Sequence, residues 1–320
     1  MIKRIWSFYL IILGDKYSFS SIEYNRIKKI FPNIIHISYK EKSVSKSIAE
    51  ITIALKKNDL IILNTQAVLH PKLITYLTNL EIHGIEYITI EHFLETYLQK
   101  CFITEELSTN TSFFEEIHRY SRFQYLQKRF VDYVSIFVLL IPTLIAIIYT
   151  KFKINQESPG TIFFKQERVG KKEKEFSCIK LRSMHQNSEK NGAVFATDDD
   201  PRTFPWGKYI RYKKIDELTQ LWNVFIGEMH IIGPRPERKI WTNEFQKSIP
   251  YYGQRHLVAP GITGLAQIKY QYGAGKLDAK EKLMYDLYYI KNWSLKLELE
   301  IIWKTILFLF TKKREDLSNF

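Results

Sequence analysis

A run of seventeen predominantly apolar residues, Val134–Thr150, constrains the fold of this chain more than any other segment. As an α-helix it would be about 26 Å long, barely enough to cross a hydrocarbon core. Pro142 lies in its middle, where it removes a backbone hydrogen bond and favours a kink. The flanking residues are basic, namely Lys128, Arg129, Lys151 and Lys153. Positive flanks favour the cytoplasmic side. Two interpretations fit: a helix–break–helix that enters one leaflet and returns, or an ordinary buried or spanning helix.

Residues 1–100 alternate short apolar runs with helical patterns. Strands are predicted at Ser7–Leu13, Ile34–Ser38, Leu60–Asn64 and Tyr87–Ile90, and helices at Ser21–Ile30, Val44–Lys56 and Pro71–Ile82. This alternation favours a parallel sheet covered by helices. The first strand ends at Leu13-Gly14-Asp15 without a G-x-G-x-x-G fingerprint. We therefore expect a Rossmann-like module with a structural or regulatory role rather than a nucleotide-binding one.

The chain is strongly basic, with 47 Lys and Arg against 34 Asp and Glu and a formal charge of +13. Such an excess suits nucleic acid, an anionic membrane surface or phosphorylated substrates. No zinc-finger spacing or RNA-binding aromatic motif occurs, so we expect no nucleic-acid partner. The two cysteines, Cys101 and Cys178, lie far apart and predict neither a metal site nor a disulfide.

An adjacent acidic pair, Asp216-Glu217, lies between the basic run Arg211–Lys214 and a Gly-Pro-Arg-Pro turn, Gly233–Pro236. A carboxylate can attack phosphorus, and flanking cations can hold the charged oxygens of a phosphate. An isolated Asp-Glu pair is usually a solvated surface feature, so the interpretation depends on the surrounding sequence.

Short blocks around this pair resemble, in order, the core of the monotopic phosphoglycosyl transferases, the bacterial sugar transferase family. The blocks are Gln166–Gly170, Phe176, Lys180–Met184, Asp200–Arg202, Asp216–Leu218, Gln220–Val224, Gly227–Met229, Gly233–Pro236, Arg255, Pro260–Gly264 and Tyr285–Tyr289. The resemblance covers about residues 127–309. One departure is Thr219, where the family usually has Pro, and it puts local rigidity in question more than chemistry.

The resemblance implies transfer of a phosphosugar from a nucleotide diphosphate sugar, a UDP-sugar by analogy, to polyprenyl (undecaprenyl) phosphate. Asp216 would attack the β-phosphorus and form a covalent adduct. Glu217 would assist as a base or as a ligand of Mg²⁺, so both carboxylates are catalytic and metal-binding candidates. Neighbouring residues on an α-helix project about 100° apart, so we expect the two carboxylates to have different roles.

Six cations are expected to bind substrate phosphate: Lys180, Arg182, Arg202, Arg211, Arg235 and Arg255. Arg235, between two prolines, is the best placed of them. Lys180 and Arg182 alternate along a predicted strand, which leaves a solvated strand face as the alternative. The run Asp198–Asp200 is predicted to be a cap or loop rather than a metal site. The nearby histidines, His185, His230 and His256, have no metal-ligand spacing and are interpreted as structural.

Together these features predict an α/β chain with three parts. They are a Rossmann-like module (residues 1–100), a polar connector (101–126) and a membrane-associated, mainly α catalytic domain (127–320). The resemblance favours a re-entrant helix at about 131–150, broken at Pro142, on the cytoplasmic face of the bacterial inner membrane. Leu295–Phe310, followed by Lys312–Arg314, is predicted to be an amphipathic helix in the interface or a core helix, although its first turns also alternate like a strand.

Two other functions stay open from the sequence. One is a membrane-bound, nucleotide-sensing scaffold with a decayed transferase domain, which would release no product. The other is a glycosyltransferase, which would release a nucleoside diphosphate instead of a monophosphate. Neither the sugar nor the glycan is specified by the motifs, and the open oligomeric states include a homodimer.

Overall fold

The computed structural model describes residues 9–55, 59–66, 68–103, 117–186, 188, 200–270, 273 and 275–310. Contacts divide the chain into two compact units, with the boundary between Phe102 and Ile103. The mixed α/β class and the parallel sheet predicted from the sequence are confirmed.

The first unit is a four-stranded parallel sheet with helices between its strands. Its elements are β1 (Tyr9–Leu13), α1 (Ser21–Ile30), β2 (Asn33–Ile37), α2 (Val44–Ala54), β3 (Leu60–Leu63), α3 (Pro71–Ile82), β4 (Glu86–Thr89) and α4 (Ile90–Phe93), which continues into a π-helical turn (Leu94–Leu98). The strand order is β2-β1-β3-β4, and every pair is parallel. This is the flavodoxin-like doubly wound order rather than the 3-2-1-4 order of dinucleotide-binding sheets.

The core of the first unit follows from its apolar strands, since every residue of Leu10–Leu13 and Leu60–Leu63 is buried. At their carboxyl ends, the loops after β1 and β3 bind each other. Gly14 has φ +99°, and a Cβ there would lie 2.4 Å from the Asn64 carbonyl oxygen. The buried Asn64 side chain accepts from Tyr17 N (2.8 Å) and donates to Tyr17 O (2.9 Å), which fixes the loop after β1.

The second unit contains a long helix, two small sheets and a set of shorter helices. Its elements are α5 (Arg122–Glu157), β5 (Phe163–Val169), β6 (Glu175–Leu181), α6 (Pro205–Tyr212), a 3-10 helix (Ile215–Gln220), α7 (Leu221–Phe225), β7 (His230–Ile232), α8 (Lys239–Ser248), a 3-10 helix (Tyr252–Leu257), β8 (Gly261–Thr263), α9 (Leu265–Lys269), α10 (Lys276–Lys291) and α11 (Leu295–Phe310). β5 and β6 form an antiparallel hairpin, whereas β7 and β8 are parallel.

Helix α5 is 36 residues long, and it begins at a capping box formed by Ser121 and Gln124. Within the described part of the chain it is the one helix long and apolar enough to cross a membrane. It continues through Pro142, so the predicted break is not an interruption of the helix. Of the predicted connector, residues 104–116 lie outside the described residues.

Helix α11 is helical from its first residue, so the strand alternative for Leu295–Ile301 is wrong. One face packs into the unit through the buried Leu297 and Ile301, whereas Leu299 and Trp303 are exposed. The helix therefore combines a core-packing face with an open apolar face. The basic residues Lys312–Arg314 lie outside the described residues.

Candidate active site

The acidic pair lies on the 3-10 helix Ile215–Gln220, which starts after Lys214 in the left-handed conformation (φ 59°). Successive side chains of a 3-10 helix project about 120° apart, so the α-helical geometry expected for the pair is wrong in detail. Both carboxylates are buried, with 7% of Asp216 and 6% of Glu217 exposed. Thr219 donates to the Ile179 carbonyl oxygen at 3.0 Å and ties this helix to β6. A proline at that position could not make this bond.

Glu217 is paired with two of the predicted cations. Its Oε1 accepts from Arg235 Nη2 at 2.8 Å and from Lys180 Nζ at 3.2 Å. Burial acts to raise the pKa of Glu217, but Arg235, Lys180 and Lys214 outweigh it and hold that pKa well below its usual range. Glu217 is therefore an ionised acceptor that fixes the ends of two cations beside Asp216.

Asp216 has a different environment. Its Oδ1 is buried and has no hydrogen-bond partner in the part of the chain that the structure describes. Burial and the adjacent Glu217 carboxylate raise the pKa of Asp216 to about 6, against the opposing effect of Lys180, Lys214 and Arg211. The two neighbouring carboxylates thus differ in both pairing and acidity, as expected for groups with different roles.

Arg235 lies in the loop that follows β7, and this loop is bonded to residues in and next to the parallel strand β8. The loop is fixed backbone to backbone: Gly233 N donates to Thr263 O (2.9 Å) and Gly261 N donates to Pro234 O (2.9 Å). A Cβ on Gly264 would lie 2.2 Å from the Gly233 carbonyl oxygen, so only glycine fits there.

Side chains of α5 hold the strand that precedes this loop. Lys128 Nζ donates to Ile232 O (2.7 Å) and to Glu298 Oε1 (2.6 Å). Asp132 accepts from Ile231 N (2.9 Å) and pairs with His230 Nδ1 (2.6 Å). The polar first turns of the apolar helix are therefore bonded to β7 and, through it, to the loop of the acidic site.

The other predicted cations make protein contacts. Arg182 donates to Ser158 Oγ (2.9 Å) and to the carbonyl oxygens of Ser158, Thr161 and Met184. Arg202 pairs with Asp200 through two bonds (2.8 and 2.5 Å), and its guanidinium lowers the pKa of that carboxyl to about 2. Asp200 therefore acts as an ion-pair partner, while Asp198 and Asp199 lie outside the described residues.

Arg255 supports Arg235 from behind. Its Nη2 donates to Arg235 O and to Asp286 Oδ2, both at 2.9 Å, and its Nη1 donates to the Tyr252 hydroxyl at 2.7 Å. Arg211 belongs to the last turn of α6. These contacts give Arg255 a positioning role, and no bound phosphate is needed to explain it.

One cleft of about 2550 Å³ brings all eight predicted site residues together: Asp216, Glu217, Lys180, Arg182, Arg202, Arg211, Arg235 and Arg255. They come from β6, α6, the two 3-10 helices, the loops that follow β6 and β7, and the short segment just before α6. Apolar residues line the same cleft, among them Val134 and Val138 of α5 and Leu299 and Ile302 of α11. The cleft can therefore hold a molecule with a charged head and an apolar chain.

The cleft residues that were not predicted as site residues include Arg168, Lys214 and Gln267. Arg168 alternates with Gln166 along β5, and its guanidinium donates to Gln166 Oε1 (2.5 Å) and Pro236 O (3.1 Å). Its position in the first family-like block was a usable signal. Gln267 is uncharged and lacked any signal beyond its place just after Pro260–Gly264.

No cluster of three or more metal-ligating His, Cys, Asp or Glu side chains occurs within the described ranges. His230 is buried against Asp132, and burial together with Arg255 lowers the pKa of the buried His256 to about 3. His185 contacts Ser158 Oγ at 3.2 Å. The three histidines thus make separate contacts.

The part of the chain that forms the cleft matches a known protein family. The profile described as "Bacterial sugar transferase" matches residues 123–312, more than half of the chain. The chain belongs to the bacterial sugar transferase family. The predicted family resemblance is therefore confirmed, and the matched range contains the cleft, α5 and nearly all of the second unit.

Three relatives illustrate the range of named activities in the family. The chain is 49% identical over 157 residues to the UDP-N-acetylgalactosamine-undecaprenyl-phosphate N-acetylgalactosaminephosphotransferase of Aeromonas hydrophila. It is 40% identical over 152 residues to the UDP-glucose:undecaprenyl-phosphate glucose-1-phosphate transferase of Xanthomonas campestris pv. campestris, and 36% identical over 194 residues to the enzyme of that name from Escherichia coli (strain K12). These matches cover 49%, 47% and 59% of this chain but only 37%, 31% and 41% of the relatives.

Proposed function

We propose that this chain transfers a sugar 1-phosphate from a UDP-sugar to undecaprenyl phosphate through a covalent intermediate on Asp216. The observation that supports this most directly is the buried Oδ1 of Asp216, which has no hydrogen-bond partner among the described residues, beside a Glu217 carboxylate held by Arg235 and Lys180. The named activities of the relatives support the same substrates.

In the first step, Asp216 Oδ1 attacks the β-phosphorus, and the bond from that phosphorus to the bridging oxygen breaks. UMP leaves with the bridging oxygen, and the phosphosugar stays on Asp216 as an acyl phosphate. In the second step, a phosphate oxygen of the lipid attacks the same phosphorus and restores the Asp216 carboxylate. Arg235 and Lys180 lie where they can hold the phosphate oxygens as charge moves to the leaving group.

Mg²⁺ fits the adjacent Asp216 and Glu217 carboxylates of the cleft. It usually binds one or two protein carboxylates and completes its shell with substrate oxygens and water. Asp216 and Glu217, two adjacent buried carboxylates, would hold it. When bound, the ion would neutralise charge on the diphosphate.

The acceptor lipid fits the apolar part of the cleft. Apolar residues of α5 and α11 line the same cleft as Asp216, so a prenyl chain held by them would bring its phosphate towards the acidic pair. The scaffold alternative is not favoured, because the acidic pair and the cations of the motif are intact and assembled in one cleft.

We further propose that α5 bends at Pro142, so that it enters the membrane and returns rather than crossing it. Both ends of the helix bond to the same unit: Lys128 to Ile232 and Glu298 near the start, and Glu157 Oε2 to Trp206 N (2.6 Å) at the end. Between them, Phe137, Ile141 and Ile148 are 68–81% exposed. A crossing helix would place its two polar ends on opposite sides, so this geometry supports two ends on the cytoplasmic face, where the nucleotide sugar is found.

A donor screen tests the function. The full chain in lipid nanodiscs with undecaprenyl phosphate would be supplied with UDP-N-acetylgalactosamine, UDP-glucose or UDP-galactose. UDP-N-acetylgalactosamine is our first candidate because of the 49% identical relative. Release of UMP with formation of lipid-linked sugar diphosphate supports the proposal. Release of UDP would identify a glycosyltransferase, and no product with any donor would support the scaffold.

A further inference from the structure

Gln267 lies beside Arg235 because of the parallel pairing of β7 and β8. The register sets Ile232 opposite Thr263, so the loop to Arg235 and helix α9, which carries Gln267, leave the sheet at the same edge. Both side chains line the cleft. Gln267 is therefore next to the acidic site although it lies fifty positions after Glu217 in the sequence.

The contact with Arg235 orients the Gln267 amide. Arg235 Nη1 donates to Gln267 Oε1 at 3.3 Å, while Arg235 Nη2 donates to Glu217. A guanidinium has only donors, so the amide oxygen must face it and the amide nitrogen must point elsewhere. That nitrogen, Gln267 Nε2, is buried and has no hydrogen-bond partner among the residues that the structure describes. A buried unpaired donor is unfavourable, and an arriving acceptor relieves it.

We propose that Gln267 Nε2 donates a hydrogen bond to the phosphosugar of the donor and helps to select the sugar. The proposal rests on the proposed function. The cations near Asp216 match the charged diphosphate, whereas a neutral amide suits a hydroxyl or acetamido oxygen. Because Gln267, Arg235 and Glu217 form a continuous chain of contacts, the amide lies close to the groups that would hold the phosphosugar. A site that hydrogen-bonds a substrate group discriminates strongly against substrate analogues that lack this group.

Gln267→Leu tests the proposal, with Gln254→Leu as its matched control. Gln254 also has a buried amide atom without a described partner, its Oε1, but it does not line the cleft. Both changes would be made in the full chain carrying Asp216→Asn, which prevents turnover. Calorimetry would measure the Kd of the UDP-sugar that the wild type uses and the Kd of UMP, which lacks the phosphosugar.

We expect Gln267→Leu to weaken UDP-sugar binding roughly 10-fold or more, with UMP binding changed less than about 3-fold. Gln254→Leu should leave both unchanged. Gln267→Asn, which keeps the amide on a shorter stem, should also weaken the UDP-sugar selectively and provides a second variant if Gln267→Leu does not fold.

Unchanged binding of the UDP-sugar, or an equal loss for UDP-sugar and UMP, would overturn the role of Gln267 and leave the proposed function standing. A wild-type chain that binds neither UDP-N-acetylgalactosamine, UDP-glucose nor UMP would overturn both.

Discussion

Lys128 Nζ lies 2.7 Å from the carbonyl oxygen of Ile232, which stands three residues before Arg235. The same ammonium bonds Glu298 Oε1, and both side chains are only 1% exposed. One buried cation therefore joins the apolar helix α5, the C-terminal helix α11 and the strand that leads to the active-site loop.

Lys128→Met should destabilise the second unit by about 3–5 kcal/mol, because it leaves the Glu298 carboxylate buried without its partner. Lys128→Met combined with Glu298→Gln should recover a substantial part of that loss. Thermal unfolding in detergent would measure both variants, with Lys304→Met, at an i,i+4 pair nearer the surface, as control. Equal stability of the single and double variants would contradict the predicted coupling.

Asp216→Asn should remove UMP release and the covalent phosphosugar adduct, lowering turnover by several powers of ten. The variant should be at least as stable as the wild type at neutral pH. The pKa of Asp216 is raised above its ordinary 3.8, so stability present at low pH is lost as the carboxyl ionises near pH 6. Mass spectrometry would test whether the covalent adduct forms in the wild type and is missing from the variant. Melting curves would compare the stability of the two proteins. Substantial turnover by the purified variant would refute the assignment.

The rate should depend on pH through Asp216. Because the pKa of Asp216 is raised to about 6, kcat/KM should fall tenfold per pH unit below that value as the nucleophile becomes protonated. Lys180 opposes this rise, so Lys180→Gln should move the midpoint upward in addition to lowering the rate. Initial-rate profiles from pH 4.5 to 8.5 would show the shift. A midpoint that moves downward or stays fixed would exclude Asp216 as the titrating group.

Single cysteines at positions 125 and 155 should react with a membrane-impermeant reagent from the same side of sealed vesicles. The background would carry Cys101→Ser and Cys178→Ser, since both native cysteines are buried thiols outside any disulfide. The expectation follows from the polar contacts that bond both ends of α5 to one unit. Labelling from opposite sides would mean that the helix crosses the bilayer.

A chain beginning at Phe113 should still release UMP when reconstituted in lipid. All eight predicted site residues lie in the second unit, and the first unit has neither the acidic pair nor the Gly-Pro-Arg-Pro turn. The assay would compare its kcat/KM with that of the full chain. If the shortened chain is folded and membrane-bound but inactive, and residues 1–112 added separately restore it, the first unit contributes to the site.

The sequence predicted local structure well where one periodicity dominates. Helices Ser21–Ile30 and Pro71–Ile82 begin and end as predicted, because each has a clear start signal, Ser20 as a cap and Pro71 in the first turn. The 3-10 geometry of the acidic pair was not predictable, since it depends on Lys214 adopting a left-handed conformation and on the bond from Thr219 to β6.

The site was predicted as a set of residues but not as an arrangement. Motifs identified the charged members, yet only the fold separates Arg235, which reaches Glu217, from Arg182, which bonds the residues after α5. Gln267 was not predicted because its uncharged side chain carries no functional signal in the sequence. Its role becomes visible only in the structure, where Arg235 fixes the orientation of its amide.

The backbone contacts around Gly233, Gly261 and Gly264 limit how this chain can diversify. A single methyl group at any of these positions would come within 2.0–2.7 Å of main-chain atoms of the facing loop. The loop that presents Arg235 therefore has almost no mutational freedom, and new sugar preferences cannot evolve by reshaping it. Under the proposed function, divergence or engineering of specificity would therefore act through side chains that line the cleft rather than through this backbone frame.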